Sequence, residues 1–176
     1  MKLSLSTVLV AAACVHSAAA VNIAFYTSGN CANAYFVCVN QSRDSCCDPF
    51  IDDVRYNSME FQQLGTSQNV QLRSYDRGGC SRRTATSASN GRRTVCFVRE
   101  PPYTGGGYGG FNLKRNAVEG GGADAECIRP QELGFPDGTK FNLTSLSDVD
   151  YAKIAKLSLE IPSDVPEQFQ QLKITS

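Results

Sequence analysis

Seven cysteines downstream of an export-type leader constrain this chain more than any other feature. Residues 1–20 open with Met1-Lys2, continue without a charge over residues 3–15, and close on Ala18-Ala19-Ala20. A positive start, a short apolar stretch and an A-x-A site are the parts of a secretory signal peptide. The apolar run is well short of the roughly 20 residues that a membrane helix needs. Cleavage is expected after Ala20, which leaves 156 residues (176 − 20) from Val21 onward. The last residues, Lys173-Ile174-Thr175-Ser176, carry neither a retention signal nor a lipid-anchor tail. The expected product is secreted and extracellular, with no transmembrane anchor.

The leader takes Cys14 and the sole histidine, His16, with it. What remains is Cys31, Cys38, Cys46, Cys47, Cys80, Cys96 and Cys127. In an oxidising compartment these read as disulfides rather than thiolate ligands. Each bridge would contribute roughly 2–4 kcal/mol. Seven is odd, so three bridges leave one thiol, and a covalent dimer through it is open to the protein. Leaving one cysteine out and pairing six gives 7 × 15 = 105 schemes, about which spacing alone says little. Adjacent cysteines rarely bridge each other, so Cys46 and Cys47 are expected to tie one turn to two different elements.

Without histidine there is no Ser-His-Asp or Cys-His nucleophile, no His zinc site and no proximal-His haem. No cofactor and no metal are expected. A carboxylate pair could still cleave glycosides. Asp52 and Asp53 are adjacent, however, and in a strand they point to opposite faces. Asp48 or Glu60 could join one of them only through the fold. Asp48, Asp52 and Asp53 offer the oxygen ligands that calcium takes, but their spacing is not that of an EF-hand loop, and they read as a solvated turn.

Charge is balanced overall and uneven along the chain. Residues 21–70 carry −3, residues 71–115 carry +7 and residues 116–176 carry −5. The basic centre reads as a compensated surface, or as a site for an anionic glycan, phospholipid or cell-wall polymer. Arg82-Arg83 and Arg92-Arg93 flank its polar stretch. Nucleic acid is not an expected partner.

Strands are expected at Val21-Asn22-Ile23-Ala24-Phe25-Tyr26, over residues 34–39, over 51–56, at Val70-Gln71-Leu72-Arg73-Ser74-Tyr75 and over 94–99. Residues 59–64 suit a short strand or a turn of helix. Cys46-Cys47-Asp48-Pro49 reads as a cross-linked turn and residues 81–93 as an exposed loop. Residues 101–111 hold five glycines with Tyr103, Tyr108 and Phe111, which rules out an ordinary helix. They read as a surface loop anchored by its aromatics, or as a ligand-facing loop whose rings stack on sugars or phenolics. Lys140-Phe141-Asn142-Leu143 looks like a strand. Ser147-Asp148-Val149-Asp150 has capping-box spacing ahead of a short helix over 152–157, with Ile154 and Leu157 inward. Residues 157–161 alternate and suit a strand equally well. Asn40-Gln41-Ser42 and Asn142-Leu143-Thr144 are N-glycosylation acceptors.

Two stretches carry a resemblance. Ile23-Ala24-Phe25-Tyr26, with Cys31 and Val54-Arg55-Tyr56, and the run from Val70 through Tyr75 to Gly78-Gly79-Cys80 resemble successive βγ-crystallin Greek-key units. Asp52-Asp53-Val54-Arg55 falls where that family has a Ser-Ser-Val-Arg-like strand, and Asp48-Pro49-Phe50-Ile51-Asp52-Asp53 keeps part of its calcium motif. The leader, cysteines and size are also similar to small secreted cysteine-rich proteins of filamentous fungi, many of them effectors or antimicrobial proteins.

The expected fold is mostly β: an antiparallel Greek-key sandwich, disulfide-stapled, with a core over 21–115 and an acidic α/β C-terminal extension over 116–176 packed on it. The expected function is non-catalytic binding, as an effector acting on a host or cell-surface component. Its partner would be an extracellular protein or glycan, met through Tyr103, Tyr108, Phe111, Arg82, Arg83, Arg92 and Arg93. The alternatives are a carboxylate-dependent glycan-active enzyme and a structural protein or enzyme inhibitor.

Overall fold

The structure is a computed structural model that describes residues 20–49, 51, 54–99, 101–111, 127–157 and 162–175. The alternation over residues 21–26 builds β1 (Val21–Tyr26) with two unlike faces. Ile23 and Phe25 point into the main core, while Ala24 and Tyr26 join a smaller cluster with Val37 on the other side. β2 (Tyr35–Gln41) and β4 (Ser58–Gln62) flank β1 antiparallel and repeat this alternation, with Phe36, Cys38, Met59 and Phe61 inward. β7 (Val95–Phe97) closes one edge against β4. On the other edge, β10 (Glu132–Gly134) pairs with β2 and β11 (Lys140–Asn142) with β10, giving a six-stranded sheet in the order β11-β10-β2-β1-β4-β7.

The second sheet has five strands in the order β6-β5-β8-β3-β9. They are β3 (Cys46–Cys47), β5 (Gln71–Asp76), β6 (Arg82–Ala88), β8 (Gly105–Gly109) and β9 (Cys127–Ile128). All described pairings are antiparallel except β3 with β9. Leu72, Cys47 and Tyr108 face the first sheet and share its core. The molecule is therefore a mostly β, antiparallel two-sheet sandwich, as its alternating patterns predict. Burying each large apolar side chain of that interior stabilises the fold by roughly 1.5–3 kcal/mol.

Three disulfides staple it. Cys38–Cys47 joins the two sheets through the interior, Cys46–Cys80 ties β3 to the turn after β5, and Cys31–Cys96 ties the turn after β1 to β7. Cys46 and Cys47 thus reach two different elements, as neighbours in a strand must when their side chains leave opposite faces. β2 also carries a bulge: Val21 pairs with Gln41 but Ile23 with Cys38. Asn40 takes the left-handed conformation there (φ 54°), which asparagine tolerates better than most residues, and donates its N–H to Asn22 Oδ1 at 3.0 Å.

Helix α1 (Asp148–Lys156) starts where Ser147 caps it, its side chain accepting the Asp150 N–H. Asp148 and Asp150 in the first turn and Lys153 and Lys156 in the last complement the helix dipole. Tyr151, Ile154 and Ala155 are its buried face. A 3-10 turn (Pro162–Asp164) and α2 (Glu167–Gln170), with Phe169 buried, follow.

Several local expectations are corrected. Residues 82–88 form the edge strand β6 rather than a loop, because an edge strand facing water needs no apolar face once its neighbour supplies the ladder. Residues 105–109 are not a loop but a central, wholly buried strand. Of residues 51–56, Tyr56 makes a single bridge to Tyr103, while 52 and 53 lie outside the described residues. Leu157 ends the helix exposed rather than inward. The chain beyond residue 126 supplies β9 to one sheet and β10 and β11 to the other, so it completes both sheets rather than resting on finished ones. Residues 1–19, expected to be a leader, residues 112–126 and the alternating run 158–161 lie outside the described residues.

Candidate functional site

The glycine-rich segment is built for packing. Inward, a Cβ on Gly106 would lie 2.6 Å from Met59 Sδ and 2.8 Å from Ile23 Cγ2, so only glycine lets the sheets meet there. Outward, Gly105, Gly107 and Gly109 alternate. Cβ atoms on them would strike the Gly79 carbonyl, the Ser45 carbonyl and the Asp44–Arg73 pair respectively. Two loops thus lie directly on β8, the usual reason for glycine inside a strand. Tyr103 is 1% exposed and donates its hydroxyl to the Arg99 carbonyl. Tyr108 is 4% exposed and donates to the Gln41 carbonyl at 2.9 Å. Of the three aromatics singled out by sequence, only Phe111, just past the strand end, presents its ring to solvent, at 48% exposure.

The arginine pairs separate. Arg82 and Arg83 begin β6, whereas Arg92 and Arg93 follow its end, so about 20 Å of strand lies between them. Arg82 binds both carboxylate oxygens of Asp76 and holds that carboxyl below its ordinary pKa. Arg83 is exposed on the same strand. At the far end, Arg92 donates to the carbonyls of Ser89 and Ala88, and the Arg93 carbonyl accepts from Leu64 N–H at 2.9 Å.

That far end is shared. Ala88 pairs with Gln71, and Gln71 with Gly109, so the end of β6, the start of β5 and the end of β8 lie in one row. Phe111 leaves this row from β8 and Arg92 from β6. Beneath it Arg73, 5% exposed, donates to Asp44 Oδ1 at 2.9 Å, to Gln71 Oε1 at 3.1 Å and to the Gly110 carbonyl at 3.2 Å. Asp44 N–H donates to the Tyr108 carbonyl at 2.8 Å. These bonds pin the turn that carries Arg43 to the exit of β8. The Arg43 guanidinium lies 3.9 Å from where a Cβ on Gly110 would sit, and Arg43 is exposed. Among the described residues neither Arg43 nor Arg92 forms an ion pair.

The end of the five-stranded sheet therefore combines an exposed phenyl ring with guanidinium groups on rigid supports. Such a surface attracts anions and offers a flat apolar face to a ring. Sequence reasoning found Phe111, Arg92 and Arg93 but missed Arg43. Arg43 sits in the block whose net charge is negative, and its only local signal is the polar turn around it.

The remaining candidates scatter. Asp48 donates its N–H to the Ile128 carbonyl, and Asp52 and Asp53 lie outside the described residues. Glu60, on the outer face of the six-stranded sheet, accepts from Tyr26 Oη at 2.9 Å and Gln62 at 2.7 Å. Among the described residues no three Asp, Glu, Cys or His side chains converge to hold a metal. Both sequon asparagines are exposed, and Asn142 Oδ1 accepts from Thr144 N–H and Oγ1. Cys127 is unbonded and exposed. No described helix is long and apolar enough to cross a membrane.

The family model ARB_05566_N, described as an N-terminal domain, matches residues 22–131. That interval holds the seven cysteines beyond residue 20 and the whole Phe111 end of the sheet. No curated protein and no solved structure matches the chain.

Proposed function

For a chain that belongs to the ARB_05566_N family, we propose a secreted, non-catalytic binding protein. It acts outside the cell, in the manner of an effector, on a host or cell-surface component. The partner is an anionic extracellular glycan, met at the Phe111 end of the five-stranded sheet. The observation that carries this reading is that the exposed Phe111 ring follows Gly110, which Arg43 approaches, at the strand-end row that Arg92 also leaves. The leader, the three disulfides and the two exposed sequon asparagines support export and glycosylation.

The test is retention of the oxidised protein on insoluble polysaccharides that differ in charge. Binding to uronate- or sulfate-bearing polymers should exceed binding to neutral ones and weaken with salt. Phe111→Ala and the double variant Arg43→Ala/Arg92→Ala should each lose most of it, while Arg82→Ala/Arg83→Ala keeps it. Equal retention by all variants would reject the site, and release of soluble sugar would replace the reading with an enzymatic one.

A further inference from the structure

The odd cysteine does not stand alone. Cys127 opens β9, and its register partner in the parallel ladder is Cys46 of β3. Cys46 is already bonded to Cys80. Paired residues of neighbouring strands carry their side chains on one face, with backbones about 5 Å apart. That falls inside the roughly 4.4–6.8 Å that a disulfide spans between Cα atoms. The existing Cys46–Cys80 bond spans 6.0 Å. Cys46 therefore has two sulfur partners at admissible separation.

A second contact fixes where the thiol lies. Cys127 Sγ is 3.9 Å from the point that a Cβ on Gly79 would occupy. Gly79 immediately precedes Cys80 and adopts φ +52°, a conformation that glycine takes without strain. The absent side chain leaves room on that flank of the Cys80 turn for the Asp48 carboxylate, 3.2 Å from the same point, and for the sulfur beside it. Cys46, Tyr75 and Cys80 form their own small cluster, separate from the main core. A change of partner there leaves the interior packing untouched.

We infer that Cys46, Cys80 and Cys127 form a thiol–disulfide exchange centre. The Cys127 thiolate attacks Cys46 Sγ. The Cys46–Cys127 bond forms as the Cys46–Cys80 bond breaks, and Cys80 leaves as a thiolate that takes up the proton Cys127 gave away. One disulfide replaces another, so no oxidant or reductant is consumed. The exchange unties residues 77–81 from β3, and with them the Gly79 carbonyl that packs against β8 at Gly105. This inference is independent of the glycan reading and uses none of its residues.

The experiment is pulse alkylation of the oxidised, unreduced protein with iodoacetamide after increasing times at mildly alkaline pH. Trypsin cuts after Arg77 and Arg82, and after Arg115 and Lys140, which puts Cys80 and Cys127 on different peptides. Label is expected on both cysteines in separate molecules, with a Cys46–Cys127 linked peptide wherever Cys80 is labelled. Cys127→Ser should abolish the Cys80 label while leaving glycan retention unchanged. Label confined to Cys127 throughout, or Cys80 label that persists in Cys127→Ser, would overturn the inference. So would a disulfide-linked dimer through Cys127 that contains no Cys46–Cys127 peptide.

Discussion

Cys38 of β2 and Cys47 of β3 are bonded across the interior and hold the two sheets face to face. Both are fully buried, whereas the Cys31–Cys96 bond lies at the rim, with Cys96 exposed. The two bonds do different physical work. Cys31–Cys96 closes a span of 65 residues and Cys38–Cys47 one of 9. In the chain-entropy description the longer closure stabilises by about 4 kcal/mol. Cys31→Ala/Cys96→Ala should therefore lose about that much in urea unfolding while keeping the fold. Access governs reduction, so mild reductant should open Cys31–Cys96 well before Cys38–Cys47. Mass mapping that shows the reverse order would contradict the burial assignment.

Gly106 sits where the two sheets meet, against Met59 and Ile23. Its alanine variant must push Met59 or Ile23 aside, a strain of about 1–3 kcal/mol. Gly29, by contrast, has nothing within 4 Å of an added Cβ. Gly29→Ala should be neutral or stabilise by about 0.4–1 kcal/mol through the unfolded chain. Thermal melts of the two variants should move apart; a shared shift would mean that the sheets are not in contact at Gly106.

Two buried phenols differ in their hydrogen bonding. Tyr108 Oη reaches the Gln41 carbonyl, whereas Tyr56 Oη has no hydrogen-bond partner among the described residues. Removing a satisfied hydroxyl costs about 1 kcal/mol, while removing an unsatisfied one relieves a desolvation penalty. Tyr108→Phe should lower the melting temperature, and Tyr56→Phe should hold or raise it. A clear loss in Tyr56→Phe would show a partner that the fold does not supply.

Burial raises the pKa of Tyr56 and of Tyr151 above the ordinary value of 10.0. A phenol that binds its proton more tightly in the folded state contributes stability that is fully present below the unfolded pKa. That stability is lost as pH climbs beyond it. Stability should thus hold up to about pH 10 and then fall, each such tyrosine adding about 1.4 kcal/mol per pH unit. The chain has no tryptophan, so tyrosinate absorbance reports the change directly. The buried phenols should ionise only as the fold opens; reversible ionisation without unfolding would refute their burial.

Much of the sandwich was legible in the sequence because strand patterning is local. The strands expected at residues 21–26 and 70–75 and the Ser147 cap follow from alternation or from a side chain reaching its own next turn. β8 was not legible, since glycine carries no side chain with which to announce a face. Its alternation appears only once Met59 is known to lie on one side and Ser45 and Asp44 on the other. β6 was hidden for a related reason: its polar residues fit a loop equally well, and only pairing with β5 decides.

The sequence by itself determined the class of the protein. Its seven cysteines beyond residue 20, its lack of histidine beyond residue 16 and its period-two runs are properties of composition and near neighbours. The tertiary structure alone decided which cysteine stays unpaired, which aromatics face water and which arginines share a surface. Those depend on chain segments tens of residues apart meeting at strand spacing. Nothing local records that Phe111 and Arg92 leave one row of strands, or that Cys127 comes to lie opposite Cys46.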